Sequence, residues 1–403
     1  MIKKMNSKIM NLINQHDSWR GNCINLVPSE NVMSDFVKQA FKSDFGHRYF
    51  FQNTFSTESG LSYEYNGTKF IKELYEYTTG LSNKIFGSKY SNIDMHSGHL
   101  SNLNIILSYC KPGDVIMCSD TEFGGYPGLA EGKLPSYLGV KSIYIPQTEI
   151  GGKIDLKLLE QLVIKYLPKI VMLSSSITLF PFPVKEVSDI CKKYDIPFCY
   201  DASHPLGLIA GGEFQKPFEE GAELIIGSTH KSFPGPQGGI ILGKRKEYNK
   251  IVDSTDFVTV DNIHLHRIAA LSYSLYETEF FGKDYAKQII NNTKSLASSL
   301  NDEGFKVNFK DRGYSESHQL LLDISELEYP KLTSKFQECN IITDNSGRIG
   351  TSEITRFGLK EEEMKIIANF IYRIANNEDL EIIKNDVIEF KSNFKKMKYT
   401  FEN

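Results

Sequence analysis

The stretch Leu224-Ile-Ile-Gly-Ser-Thr-His-Lys231-Ser-Phe-Pro-Gly-Pro-Gln-Gly-Gly-Ile-Ile-Leu242 decides how the rest of the chain is read. It opens with a short apolar run of the kind that makes a buried strand. A second run, Ile240-Ile241-Leu242, follows closely enough to pair back on the first as a hairpin partner. Between the two the chain places Ser228, Thr229, His230 and Lys231, then breaks into proline and glycine. Lys231 therefore stands where a buried strand empties into a tight loop. An amine held in a partly dry pocket loses its proton more readily and can act as a nucleophile near neutrality, as a Schiff-base lysine must.

Upstream, Ile196-Pro-Phe-Cys-Tyr-Asp201-Ala-Ser-His204 is another apolar run, ending in an acid with a histidine close behind. An aspartate at the end of a buried strand can cap a following helix. It can also pair with a protonated pyridine nitrogen, the pairing that keeps pyridoxal 5'-phosphate (PLP) an electron sink. A strand ending in Asp-x-x-His, followed by a strand ending in His-Lys, favours the second reading. A PLP enzyme is expected.

The composition leaves room for this and narrows the alternatives. At 403 residues the chain can hold two domains with a substantial core, and 40% apolar with 24% charged residues is ordinary for a globular protein. A net charge of −4 offers no electrostatic case for nucleic acid or a membrane surface. The six cysteines, at 23, 110, 118, 191, 199 and 339, show no CxxC and no metal-ligand spacing, so no metal is expected. The opening Met1-Ile-Lys-Lys-Met-Asn lacks the apolar core of a secretory signal, and no run approaches the length of a membrane helix. A cytoplasmic setting is expected.

Along the chain, Ile9, Met10, Leu12 and Ile13 give an amphipathic helix to about residue 20, and a second helix is expected from about Asp35 to Phe45. A stretch rich in aromatics and small polar residues, with Tyr49 and Tyr65, runs from Gly46 to Gly67 before a helix closed by Gly87. Ser91-Asn-Ile-Asp-Met-His96 reads as a strand, and Ser97-Gly98-His99 opens the next helix. Its free backbone N–H groups and positive dipole end could bind phosphate, or form a plain capping turn. Strand and helix signals then alternate through Asp114–Cys118, Ser142–Ile145, Ile170–Ser174, Pro197–Asp201 and Leu224–Gly227. That alternation predicts an α/β fold with a largely parallel sheet, whose ligands gather at the strands' carboxyl ends. The expected partition is an N-terminal helical arm over 1–45, a large domain over 46–264, and a connecting helix with a smaller α+β domain over 265–403.

With these residues in place, the chain resembles the serine hydroxymethyltransferase family, PLP enzymes of fold type I, in register from Asn25 to Ala375. The resemblance implies a mostly parallel seven-stranded sheet in the large domain and a homodimer with active sites built from both subunits. It implies a phosphate turn at Ser97, Gly98 and His99 and a ring-stacking residue at Phe123, before Gly124-Gly125. Ser176 would contact the cofactor's phenolic oxygen, Asp201 its ring nitrogen, and His204 would sit nearby. Ser228, His230 and Lys231 would complete the cofactor site, with Lys231 carrying the Schiff base. Arg348 would grip the substrate carboxylate, with Ser29, Tyr49 and Tyr65 on the substrate side; Ser29 belongs to a Ser29-Glu30-Asn31 motif.

Several positions depart from the family pattern. His99 replaces a serine, Phe123 a histidine, and Gln237 the arginine of a Gly-Pro-Arg-Gly-Gly loop. Val258–Ile263 occupies the region of a glycine-rich loop that reaches the partner's phosphate. Phe51 stands where the family has a glutamate that serves proton transfer and folate chemistry; Glu58 and Glu64 are the nearby carboxylates. The expected reaction is aldol-type cleavage or transfer at Cα–Cβ of glycine-, serine- or threonine-like β-hydroxy amino acids, with an aldehyde or one-carbon donor, independent of folate as an aldolase or transaldolase. Transamination, β-elimination, or a PLP-binding subunit without turnover remain the alternatives.

Overall fold

Each apolar run singled out above becomes a strand of one sheet in the structure, a computed structural model that describes residues 2–51, 64–324 and 328–401, with side chains from residue 7 onward. The strands are β1 (Tyr90–Asn92), β2 (Val115–Ser119), β3 (Lys141–Ile145), β4 (Ile170–Ser174), β5 (Phe198–Asp201), β6 (Leu224–Ser228) and β7 (Gly239–Gly243). They lie in the order β1-β7-β6-β5-β4-β2-β3. All pairings are parallel except those of β7, which runs antiparallel to both β6 and β1. The hairpin expected between the two apolar runs around Lys231 is therefore present, with Ile226 opposite Ile241 and Ser228 opposite Gly239.

Burial explains why these runs are unbroken rather than alternating. Every residue of β4, β5, β6 and β7 is buried, as in a sheet covered by helices on both faces. The covering helices start on side-chain caps: Ser97 accepts from the Leu100 N–H at the head of helix Gly98–Tyr109, and Asp155 accepts from Leu158 at the head of Leu156–Tyr166. Helix Lys69–Phe86 ends on Gly87 at φ 66°, as its glycine stop predicts. The helix at Asp35 is shorter than expected, ending at Phe41, where Ser43 opens a separate turn of 3-10 helix.

The chain divides into two compact units, a larger one over Asn31–Lys287 and a smaller one joining the segment up to Glu30 to Gln288–Tyr399. This differs from the partition at 45 and 264. Strand Ile24–Asn25 pairs in parallel with Ile341–Ile342, which draws the N-terminal segment into the smaller unit. At the other end, the connecting helix runs unbroken from Leu265 to Asp302, so the boundary falls inside it. The smaller unit adds an antiparallel pair, Gln319–Leu321 with Arg348–Gly350, and a core that includes Leu320, Phe336, Ile349, Met364 and Ile371. The amphipathic N-terminal helix is present over Ile2–Gly21, yet Ile9, Met10, Leu12 and Ile13 are all exposed. Among the described residues no helix is long and apolar enough to cross a membrane.

β7 begins where backbone meets backbone. The Gly239 N–H donates to the Met95 carbonyl at 2.8 Å. A side chain at Gly239 would strike the Ser97 carbonyl and come within 2.5 Å of Ser101 Oγ. Gly239→Ala should therefore lower stability by about 1–3 kcal/mol through overpacking. Urea denaturation measures it, and an unchanged midpoint would contradict this account of the junction.

Candidate active site

The carboxyl ends of β4, β5 and β6 lie side by side, because Ser174 is in register with Asp201 and Asp201 with Ile226. There a small cleft is lined by Asp201, His204, Ser228 and Lys231 together with Gly98 and Tyr126. This is where ligands bind in open α/β sheets.

Asp201 is 7% exposed and held by donors from three places. Its Oδ2 accepts from Ser174 Oγ at 2.9 Å and from Asn102 Nδ2 at 3.2 Å, and its Oδ1 accepts from the Ser203 N–H at 2.9 Å. The next peptide is fixed as well, the Ala202 N–H donating to the Ile226 carbonyl at 2.7 Å. The carboxylate cannot swing, so it can offer a lone pair in one direction only.

Next to it the first turn of helix Gly98–Tyr109 meets two serines. A side chain at Gly98 would collide with Ser228 Oγ and lie 3.1 Å from Ser203 Oγ. Only a glycine lets two hydroxyls pack this closely beside the N–H groups of a helix start, a donor set that suits a phosphate dianion. PLP fits this donor set: an acid placed for its ring nitrogen, a cradle for its phosphate, hydroxyls from Ser175 and Ser176, and an amine.

The amine belongs to Lys231, half-buried in the loop after β6. That loop is braced on both sides. The Thr229 N–H donates to the Gly238 carbonyl at 3.1 Å and Thr229 Oγ1 to the Pro236 carbonyl at 2.6 Å. Ser232 Oγ donates to the His204 carbonyl and accepts from the Gly207 N–H, tying the loop to the turn that carries Asp201. Burial, reinforced by the charge of Lys231, pulls the His230 imidazole down to about 4, so it is neutral near pH 7.

The other expected site residues fall in several places. Ser97 is the cap of the cradle helix, and Gly98, His99, Ser176, His204 and Ser228 line the cleft. His230 is adjacent to Lys231 but does not line it. Phe123 closes a 3-10 turn (Thr121–Phe123) outside the lining, and Tyr126 supplies the aromatic wall instead, its OH 2.9 Å from His99 Nδ1. Burial, with Asp201 nearby, holds the Tyr126 phenol above its usual range. Tyr49 and Tyr65 stack on each other with centroids 5.6 Å apart, both exposed and outside the lining. Glu64 is exposed, and Glu58 lies outside the described residues.

Ser29 and Arg348 belong to the smaller unit. Arg348 directs Nε and Nη2 to Asp344 Oδ2 at 3.1 and 2.7 Å, and Nε also to Ser346 Oγ at 2.9 Å. The segment leading to Ser29 runs alongside: the Gly350 N–H donates to the Leu26 carbonyl at 2.8 Å, and Gly350 packs on Pro28. Asn102, Tyr126 and Ser203 escaped the sequence reading. Asn102 was within reach of it, since it stands one helical turn beyond Gly98 on the same face.

Comparison with known proteins identifies the family. The serine hydroxymethyltransferase family model matches residues 2–371. The serine hydroxymethyltransferase of Methanobrevibacter smithii is 40% identical, covering 97% of this chain and 94% of its own length. That of Sulfolobus acidocaldarius is 36% identical, over 98% and 94%. Among solved structures, an L-threonine transaldolase from Pseudomonas fluorescens in its internal aldimine state superposes with a TM-score of 0.91 at 25% identity, over all of this chain and 96% of that one. A match over so much of the sequence, with the same fold beneath it, carries one conclusion: the chain belongs to the serine hydroxymethyltransferase family.

Proposed function

We propose that this protein is a PLP-dependent transferase that makes or breaks the Cα–Cβ bond of small β-hydroxy amino acids of the serine and threonine class. One observation carries the reading: Lys231 and a rigidly held Asp201 line the same cleft as the helix start at Gly98 and the hydroxyls of Ser203 and Ser228. The relatives' names add hydroxymethyl transfer on serine, and the structural neighbour's adds transaldol chemistry on threonine; both act at that bond.

PLP, when bound, supplies the electron sink that lets a bond at Cα break. The chain's own groups then have separate tasks. Asp201 would hold the proton on the ring nitrogen, and Ser228, with the backbone at Gly98 and His99, would hold the phosphate. Ser176 would serve the phenolic oxygen, His204 would help position the ring, and Tyr126, which lines the cleft where Phe123 does not, would supply the aromatic face. Lys231 offers the amine, and Arg348 with Ser29 binds the amino acid's carboxylate. Tyr49 and Tyr65 are exposed on their own subunit, which suits a role in a partner's site. The bare apolar residues Ile9, Met10, Leu12 and Ile13 likewise support a homodimer. Six free cysteines, five of them buried, support a reducing cytoplasmic setting.

The acceptor is the second part of the reading. With Phe51 at the family's glutamate position and Glu64 exposed, the enzyme should work with an aldehyde other than folate-borne formaldehyde. Three outcomes test the whole. Borohydride reduction of the PLP-loaded protein should fix the label on Lys231, and Lys231→Ala should bind PLP only non-covalently and lose turnover; a label on another lysine rejects the site. Arg348→Lys should weaken amino-acid binding roughly 30-fold or more while PLP affinity stays, since lysine cannot copy the bidentate fork. A drop in melting temperature with amino-acid affinity intact would instead make Arg348 a structural pair with Asp344. Finally, serine with tetrahydrofolate should form glycine far more slowly than roughly 1 per second, whereas a β-hydroxy amino acid with a free aldehyde acceptor should turn over. Brisk folate-dependent turnover would refute the folate-independent reading alone.

A further inference from the structure

The motif Ser29-Glu30-Asn31 contains a residue whose contacts reach the catalytic loop itself. Asn31 Nδ2 donates to the main-chain carbonyl of Lys231 at 2.7 Å and to Tyr285 Oη at 2.9 Å, with the Ser232 carbonyl 3.5 Å away. Its Oδ1 accepts from the Val32 N–H at 2.9 Å, which fixes which way the amide faces. Tyr285, 3% exposed on the long helix, backs the contact from the far side.

On either side of Lys231 the loop is held by its own atoms or by the Asp201 turn, through Thr229 and Ser232. A carbonyl in a half-buried loop needs a donor. The Lys231 carbonyl takes a donor from a side chain 200 residues away in sequence. We propose that Asn31 is a positioning residue: by clamping the Lys231 carbonyl it sets the peptide plane from which the lysine side chain departs, and so the direction in which the amine enters the cleft. Asn31 is not among the residues that line the cleft. Glu30 is tied down separately, to Arg20 at 2.7 Å and to Asn25 at 2.9 Å, both within the smaller unit. The two neighbours in the motif thus bond within different units, and Asn31 acts on the loop that carries the lysine.

The proposal rests on Lys231 being the point of PLP attachment, and the test separates the two. Apoprotein of wild type, Asn31→Ala, Asn31→Asp and Asn31→Gln is mixed with PLP, and covalent attachment is followed by timed borohydride quenching and peptide mapping. Turnover and urea denaturation are measured in parallel. Asn31→Ala and Asn31→Asp, which lack the N–H donors, should slow attachment at Lys231 and lower kcat by about tenfold or more, the size expected for a reacting group displaced by a fraction of an ångström. KM for the amino acid should hold within about twofold, because its carboxylate grip lies on other residues. Asn31→Gln, which keeps the amide, should recover part of both rates. Attachment and kcat at wild-type values in Asn31→Ala would overturn the proposal. So would losses in all three variants that merely follow the folded fraction seen in urea. A wild-type label on a different lysine would remove the attachment site itself, and this proposal with it.

Discussion

A carboxylate that is almost dry must be given its hydrogen bonds by the protein, because leaving it without donors costs several kcal/mol (about 3–5 when a buried partner is removed). Asp201 is that group here. Its donors come from the end of β4, from the helix Gly98–Tyr109 and from the backbone just past β5. To satisfy Asp201, the parallel register of β4 and β5 must bring Ser174 opposite it, and the helix must start where Asn102 can reach back. The same helix start carries Gly98 against Ser203 and Ser228. One buried acid thus fixes where that helix start lies relative to the ends of the strands.

Around this anchor the structure spends its small residues where backbone has to approach backbone. Gly98 makes room for Ser228 and Ser203, Gly207 lies against Ser232, and Gly239 against the Ser97 carbonyl. At Gly238 a side chain would come within 2.7 Å of Arg267 Nη1. Arg267 is itself buried, which pulls its guanidinium down to about 10 against the opposing pull of Asp94 and Tyr75. Burial in turn raises the Asp94 carboxyl to about 6, its hydrogen bond from Tyr75 opposing that rise. The family's cation at position 237 is missing from the loop tip, where Gln237 is exposed, and a cation from the long helix lies beneath the next residue instead.

In the smaller unit the arginine assigned to the substrate carboxylate is already oriented. Asp344 and Ser346 hold its Nε edge, and the pair is mostly shielded from water, at 16% and 21% side-chain exposure. These bonds fix the plane of the Arg348 guanidinium, and the Asp344 carboxylate sets a negative charge beside it.

Much of this was legible in the chain of residues. Short unbroken apolar runs bounded by turn residues suit strands covered on both faces, and each of those picked out became a strand of the sheet. Lys231 and Asp201 declared themselves by sitting at the ends of such runs, and the hairpin around Lys231 followed from the short spacing of Leu224–Ile226 and Ile240–Leu242. These are local facts, and local periodicity records them. What tertiary structure alone decided involves distant residues. Asn102 reaches Asp201 across 99 positions and Asn31 reaches Lys231 across 200. Tyr126 rather than Phe123 faces the cleft because the turn at Gly124, with φ 86°, redirects the chain between them. The N-terminal segment joins the C-terminal unit because Ile24–Asn25 finds its pairing partner at Ile341–Ile342. No pattern within either segment announces the other: a hydrogen bond between distant residues is chosen by which surfaces the packed core brings together.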